Sequence, residues 1–167
     1  MIPLAYINEW QQYAPWPLIS QVEQDLVISR ALIEIFDHPP LKKELAFRGG
    51  TALFKLHLAP ARYSEDIDLV QVTPGPIGAL MDAIQERINP WLGSPRRKQS
   101  EGRVTLIYSF ASEEGLPLKL KIEINSREHF WVLGFDSREY SVQSRWYTGK
   151  AVILSYHLDE LLGTKIR

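Results

Sequence analysis

The stretch that decides the fold is LAFRGGTALFKL at residues 45–56, followed by SEDIDLV at residues 64–70. Residues 45–48 are a short apolar run that ends at two glycines, which predicts a buried strand, and the apolar spacing over 51–58 predicts about two helical turns. The pentapeptide DIDLV at 66–70 alternates charged and apolar residues, so a strand here places both carboxylates on one face. The segment therefore predicts a strand, a glycine turn, a helix and an acid-bearing strand.

The turn Gly49-Gly50-Thr51 predicts a phosphate site. It joins a strand to a helix, where backbone N–H groups and the positive helix end can hold an anion and the glycines allow close approach. Asp66 and Asp68 then share one strand face. Because adjacent carboxylates repel each other unless a cation lies between them, they predict a hard divalent ion, Mg²⁺ or Mn²⁺. An isolated D-x-D pair is more often a solvated turn, and the preceding glycine turn is what favours a metal site.

A third acid is expected on a neighbouring strand, and residues 117–125 contain the candidate. Their strict alternation places Lys119, Lys121, Glu123 and Asn125 on one face. Glu123 is predicted either to complete the metal site or to accept the proton of an attacking hydroxyl. The competing interpretation is a solvated sheet face with cross-strand ion pairs.

The remaining pattern predicts an α/β (α+β) fold, with a mixed, mostly antiparallel sheet and flanking helices. S-x-x-E at 20–23 has the form of a capping box and predicts a helix that runs to residue 36. Further predictions are a helix over 75–91, a basic loop over 95–98, and strands over 104–110, 117–125, 130–135, 140–146 and 151–156. A last helix places Leu158, Leu161, Leu162 and Lys165 on one face. We expect residues 1–167 to form one domain, with residues 1–18 as a packed N-terminal arm.

Composition narrows the class of protein. The 167 residues are 45% apolar and 23% charged, with a net charge of −1, which is typical of a globular domain. The absence of cysteine excludes disulfides, thiol nucleophiles and Cys-ligated zinc. No apolar stretch is long enough for a membrane helix and no signal peptide is visible, so we expect a cytoplasmic protein. The densest basic cluster, Arg96, Arg97, Lys98 and Arg103, is either a solubilising loop or a place for RNA backbone contacts.

A strand and Gly-Gly turn before a helix, then an acid-x-acid strand and a later single acid, resembles the nucleotidyltransferase fold of the polymerase-beta-like superfamily. The motif FRGGTAL at 47–53, together with RYSEDIDL at 62–69, resembles the AbiEii/AbiGii nucleotidyltransferase toxin family. Similar wording recurs at residues 14–17, 23–26 and 160–165, so the resemblance spans most of the chain.

The resemblance implies a bacterial toxin of a toxin–antitoxin or abortive-infection system, with a separately encoded cognate antitoxin. It implies transfer of a nucleoside monophosphate from an NTP to an acceptor hydroxyl, which in some relatives belongs to tRNA, with release of pyrophosphate. It assigns the phosphate turn to Gly49, Gly50 and Thr51, active-site roles to Ser64 and Asp66, a metal ligand to Asp68 and the triphosphate-binding lysine to Lys165. The family also has an Arg-Asp pair beyond that lysine, so we expect this chain to be an N-terminal portion of a longer natural one.

Three points stay open in the sequence. Arg48 beside the turn either contacts phosphate or is an ion partner of the acids. One alternative function is a catalytically incomplete module that binds a nucleotide or an antitoxin. The other is a nucleotidyltransferase that modifies a small molecule.

Overall fold

The computed structural model describes residues 1–57, 63, 65–126 and 134–166, with the backbone alone at 163–166. The helices are α1 Leu4–Trp10, α2 Ile19–Phe36, α3 Pro39–Glu44, α4 Gly49–Leu56, α5 Gly78–Leu92 and α6 Leu158–Ile166. The strands are β1 Leu45–Arg48, β2 Asp66–Gln71, β3 Arg96–Ser100, β4 Arg103–Ala111, β5 Pro117–Asn125, β6 Phe135–Gln143 and β7 Thr148–Tyr156.

The described strands form one seven-stranded sheet in the order β3-β4-β5-β2-β1-β7-β6. Strands β2 and β5 are parallel, as are β1 and β7. The other four pairs are antiparallel. This arrangement confirms the predicted mixed, mostly antiparallel sheet with flanking helices.

The two faces of the central strands differ in chemistry, as the period-two pattern predicts. Ile67 and Leu69 of β2 and Ile122 and Ile124 of β5 are fully buried, and α2 packs against both strands. The opposite face of the same strands carries the charged residues of the sequence motif. The sheet therefore separates the apolar core from the polar face on which the candidate site lies.

The helix predicted over 20–36 is present with nearly the predicted limits, but the predicted capping box at its N-terminus is wrong. Helix α2 begins at Ile19, and the Gln21 side chain accepts a hydrogen bond from the Leu18 N–H at 3.2 Å. Glu23, the predicted capping acid, is fully buried and accepts a hydrogen bond from the Glu113 N–H at 2.8 Å. A tertiary contact thus replaces the local one.

The basic loop predicted over 95–98 is also wrong, because β3 begins at Arg96. It pairs antiparallel with β4, from Arg96 opposite Ile107 to Ser100 opposite Arg103. All of its residues are exposed. Charged side chains suit the edge of a sheet, where they discourage pairing with other chains.

Other boundaries differ less. Strands β1 and β5 have the predicted limits, whereas β6 begins at Phe135 rather than at 140. The strand predicted over 130–135 falls largely outside the described residues. The short helix α3 begins directly at two prolines, which fit the first turn of a helix because its N–H groups need no partner there.

The N-terminal arm packs against the body of the fold. Ile2 and Ile7 are fully buried, and Trp10 is 5% exposed. The indole N–H groups of Trp10 and Trp16 donate to the Asp25 carboxylate of α2 at 3.0 and 3.3 Å. Among the described residues, no helix combines the length and apolar character that a membrane crossing requires.

Candidate active site

The turn between β1 and α4 lies directly against a carboxylate of β2. Gly49 has a φ of +87°, a conformation that residues with a Cβ rarely adopt. A Cβ at this position would lie 3.3 Å from the Asp68 Cβ and 3.4 Å from its Oδ2. The backbone conformation therefore favours glycine, and a larger residue would also need Asp68 to shift by a few tenths of an ångström.

Thr51 fastens the same turn to the start of β2. Its hydroxyl donates to the Asp66 carbonyl oxygen at 2.7 Å, and the residue is 4% exposed. The first turn of α4 therefore has a defined position relative to the D-x-D strand. Gly50 lies between Gly49 and Thr51 in that turn.

The predicted acids share one face of neighbouring parallel strands. Asp68 of β2 pairs in register with Glu123 of β5, and Asp66 pairs with Lys121. Residues paired in this way project side by side from the same face. The structure thus brings Asp68 and Glu123 together beside the glycine turn, while Asp66 lies two residues away on that face and is exposed.

Each of the two paired carboxylates has its own arginine. Arg48 Nε lies 3.4 Å from Asp68 Oδ1, so the ion-pair interpretation of Arg48 describes this state. Arg103 Nε lies 3.2 Å from Glu123 Oε1. The cross-strand ion pair considered for Glu123 is therefore present, and it coexists with the approach of Glu123 to Asp68.

Sequence reasoning assigns Arg103 to a basic cluster and misses its contact with Glu123. Arg103 begins β4, and in the antiparallel β4–β5 pair Thr105 lies opposite Glu123. Arg103 is thus a diagonal neighbour on the same face. Only the register could have revealed this, since the two residues are twenty positions apart in the chain.

The surroundings of Asp68 disfavour its charge. Burial raises the pKa of its carboxyl, the Arg48 guanidinium lowers the pKa, and the nearby Glu123 carboxylate raises it again, with a net shift upward. A divalent cation between the two carboxylates would offset the cost of burying the Asp68 charge and would also offset the repulsion between Asp68 and Glu123.

The donor set suits a hard cation shared with a substrate. Among the described residues, no three His, Cys, Asp or Glu side chains converge as a complete metal site. Asp68 and Glu123 provide a carboxylate pair, with Asp66 close by on the same strand. Mg²⁺ characteristically takes one or two carboxylates and completes its shell with water and substrate phosphates, and this arrangement fits that mode.

For two predicted site residues, Ser64 and Lys165, the structure describes no side-chain position. Ser64 lies outside the described residues. Lys165 lies in the last part of α6, residues 163–166, where only the backbone is described, and α6 packs against α4. Leu161 is 3% exposed but Leu162 is 36% exposed, so the predicted leucine face is only partly buried.

Comparisons with known proteins identify the family and the fold. A family model described as nucleotidyl transferase AbiEii toxin, type IV TA system, matches residues 30–167. The chain is similar in structure to a candidate nucleotidyltransferase from H. pylori, at 15% identity and a TM-score of 0.58, with 87% of this chain and 57% of that one covered. It is also similar to JHP933 from Helicobacter pylori, at 13% identity and a TM-score of 0.54, with 87% and 55% covered.

The likeness to the two solved structures concerns the fold. The chain spans little more than half the length of each of them. No curated protein matches the sequence.

Proposed function

Because this chain belongs to the AbiEii nucleotidyltransferase toxin family, we propose that it transfers a nucleoside monophosphate from an NTP to an acceptor hydroxyl and releases pyrophosphate. The observation that supports this reaction best is the contact of the glycine turn with Asp68, which is in register with Glu123. A phosphate-binding turn and a carboxylate pair on adjoining strands are the two parts that a metal–triphosphate complex needs.

We assign the metal ligands to Asp66, Asp68 and Glu123, with Mg²⁺ or Mn²⁺ as the ion. When bound, the ion polarises the α-phosphorus and neutralises charge on the departing pyrophosphate. Glu123 acts either as a ligand or as the base that accepts the proton of the attacking hydroxyl.

The other residues would bind and position the triphosphate. The N–H groups of the turn at 49–51 face the phosphates, with glycine allowing their close approach. Arg48 stands beside the turn and adds a charged donor. By resemblance to the family, Ser64 contributes to the active site and Lys165 binds the triphosphate. Positioning and charge carry most of the rate in such reactions.

We further propose that the protein is a toxin of a toxin–antitoxin system that acts in the cytoplasm and is neutralised by a cognate antitoxin. An RNA acceptor, tRNA in particular, is our preferred substrate. The exposed basic residues of the edge strand β3, Arg96, Arg97 and Lys98, support a polyanionic acceptor.

A second candidate is a module that binds nucleotide or antitoxin without transferring a nucleotide. It is supported by the two ion pairs Arg48–Asp68 and Arg103–Glu123, in which arginines already neutralise both paired carboxylates. Both candidates require the same glycine turn, and they differ in whether label is transferred.

The test is incubation with each labelled NTP, Mg²⁺ and total tRNA, beside an Asp66→Ala/Asp68→Ala variant. Metal-dependent label on tRNA from the wild type alone supports the proposal. Label on a small molecule instead of tRNA would show that the acceptor is a small molecule. Binding of NTP with no transfer to any acceptor contradicts the proposed reaction and favours the module.

A further inference from the structure

We propose that Arg103 is a second arginine of the substrate site: it pairs with Glu123 while no metal is bound and contacts the triphosphate once a divalent cation occupies Glu123. This inference rests on the proposed metal-dependent function. It names a residue on β4, a strand to which the sequence motif assigned no part of the site.

The geometry places Arg103 at the edge of the carboxylate pair. Its Nε lies 3.2 Å from Glu123 Oε1, and it reaches that oxygen diagonally, because its own partner in register is Asn125. The charge of Arg103 also acts on Asp68. One guanidinium therefore contacts Glu123 and acts electrostatically on Asp68, two of the three carboxylates to which the metal is assigned.

Exposure distinguishes the two arginines of the site. The Arg48 side chain is 14% exposed, whereas that of Arg103 is 54% exposed. An exposed ion pair is screened by water and weakly held. Arg103 can therefore leave Glu123 more readily than Arg48 can leave Asp68.

The chemistry of Glu123 makes the exchange necessary. A divalent cation and a guanidinium compete for the same carboxylate, so metal binding to Glu123 weakens its pair with Arg103. The metal brings phosphate oxygens into the same space. A guanidinium binds phosphate through two parallel hydrogen bonds, so Arg103 exchanges one anion for another close by.

For one variant, this proposal predicts a higher affinity for the metal and a lower affinity for phosphate. Arg103→Gln removes the competing cation, so Mn²⁺ alone should bind about threefold more tightly. It also removes a phosphate contact, so inorganic tripolyphosphate in saturating Mn²⁺ should bind about tenfold more weakly. Mn²⁺ affinity is measured by electron paramagnetic resonance and tripolyphosphate affinity by calorimetry, and neither depends on the base of the NTP.

Two further variants sharpen the experiment. Arg103→Lys keeps the charge and loses the planar fork, so Mn²⁺ affinity should stay near wild type while tripolyphosphate binds more weakly. Arg138→Gln is the matched control: Arg138 pairs with Asp136 at 3.0 Å on the edge strand β6, at the far end of the sheet. It should change neither affinity.

The outcomes separate this inference from the function on which it rests. If the wild type binds no Mn²⁺, the metal-dependent function fails and Arg103 has no exchange to make. If the wild type binds Mn²⁺ but Arg103→Gln leaves both affinities unchanged, or moves both in one direction, the exchange is wrong while the function stands. A purely structural ion pair produces that second result.

Discussion

Gly49, the first residue of α4, lies beside Asp68 of β2: its φ is +87°, and a Cβ at this position would lie 3.3 Å from the Asp68 Cβ. The turn that would hold phosphate and the acid that would hold the cation therefore form one rigid unit. A side chain at position 49 would need Asp68 to move by a few tenths of an ångström.

Gly49→Ala should abolish most of the nucleotide transfer. A residue with a Cβ is strained at a φ of +87°, which costs about 1–2 kcal/mol, and its methyl group lies tightly against the Asp68 Cβ, at 3.3 Å. We expect transfer to fall by about 100-fold, a loss of about 3 kcal/mol in transition-state binding. The measurement is initial-rate label transfer with Mg²⁺. Gly78→Ala is the control, because a Cβ there meets nothing within 4 Å, and full activity of Gly49→Ala would disprove the close-contact argument.

Thr51→Val should weaken the link between α4 and β2. It keeps the shape of the side chain but removes the hydroxyl that donates to the Asp66 carbonyl at 2.7 Å. A buried hydrogen bond of this kind is worth about 1 kcal/mol, so the urea midpoint and the NTP affinity should both fall. Thr51→Ser retains the hydroxyl and should keep the NTP affinity. Equal loss of affinity in the two variants would show that the hydroxyl's hydrogen bond to Asp66 is not what maintains NTP binding.

The shared strand face of the candidate site could be predicted from the sequence, whereas the contacts around that face could not. Alternation along β2 and β5 is local, so the shared face of Asp68 and Glu123 could be foreseen. Their register could not, since β5 follows β2 only after a helix and two strands. For the same reason the sequence alone places Arg103 in a basic loop cluster rather than beside Glu123.

Local sequence motifs led to wrong predictions where a residue distant in the sequence determined the contact or the pairing. The S-x-x-E pattern at 20–23 predicted that Glu23 caps its own helix, but the Glu113 N–H donates to that carboxylate instead. The edge strand β3 was missed because its RRKQS sequence has no apolar alternation. Pairing with β4, not local preference, makes it a strand.

Lys55→Met should destabilise the fold strongly. Lys55 Nζ lies 2.6 Å from Asp25 Oδ1, with side chains 14% and 7% exposed, so the pair links α4 to the buried part of α2. Removing one partner leaves a buried charge, at about 3 kcal/mol. Chemical denaturation measures the loss.

The double variant Asp25→Asn/Lys55→Met tests whether the uncompensated charge causes that loss. It should recover part of the stability, because the amide oxygen introduced at position 25 carries no net charge and can still accept an indole N–H. Arg145→Met, which breaks an exposed pair with Glu9, is the control and should stay near wild type. A double variant no more stable than Lys55→Met would exclude this explanation.

Glu23→Gln should stabilise the protein at neutral pH and lose that advantage in acid. Burial raises the pKa of the Glu23 carboxyl, and the hydrogen bond from the Glu113 N–H opposes this only in part. Among the described residues nothing hydrogen-bonds the other oxygen, Oε2.

As pH rises from the pKa of Glu23 in the unfolded state to its higher pKa in the folded state, the unfolded state releases its proton first. The wild type therefore loses stability across that pH window and remains less stable above it. The amide side chain of the variant carries no charge, so the variant should be more stable than the wild type at pH 7, by an amount reduced because its NH2 group has no partner at the Oε2 position, and the difference should shrink toward about pH 4. Thermal unfolding from pH 4 to 8 measures the difference, with Glu86→Gln on the exposed face of α5 as the control; a gain that does not depend on pH would mean that packing, not the buried charge, separates the two proteins.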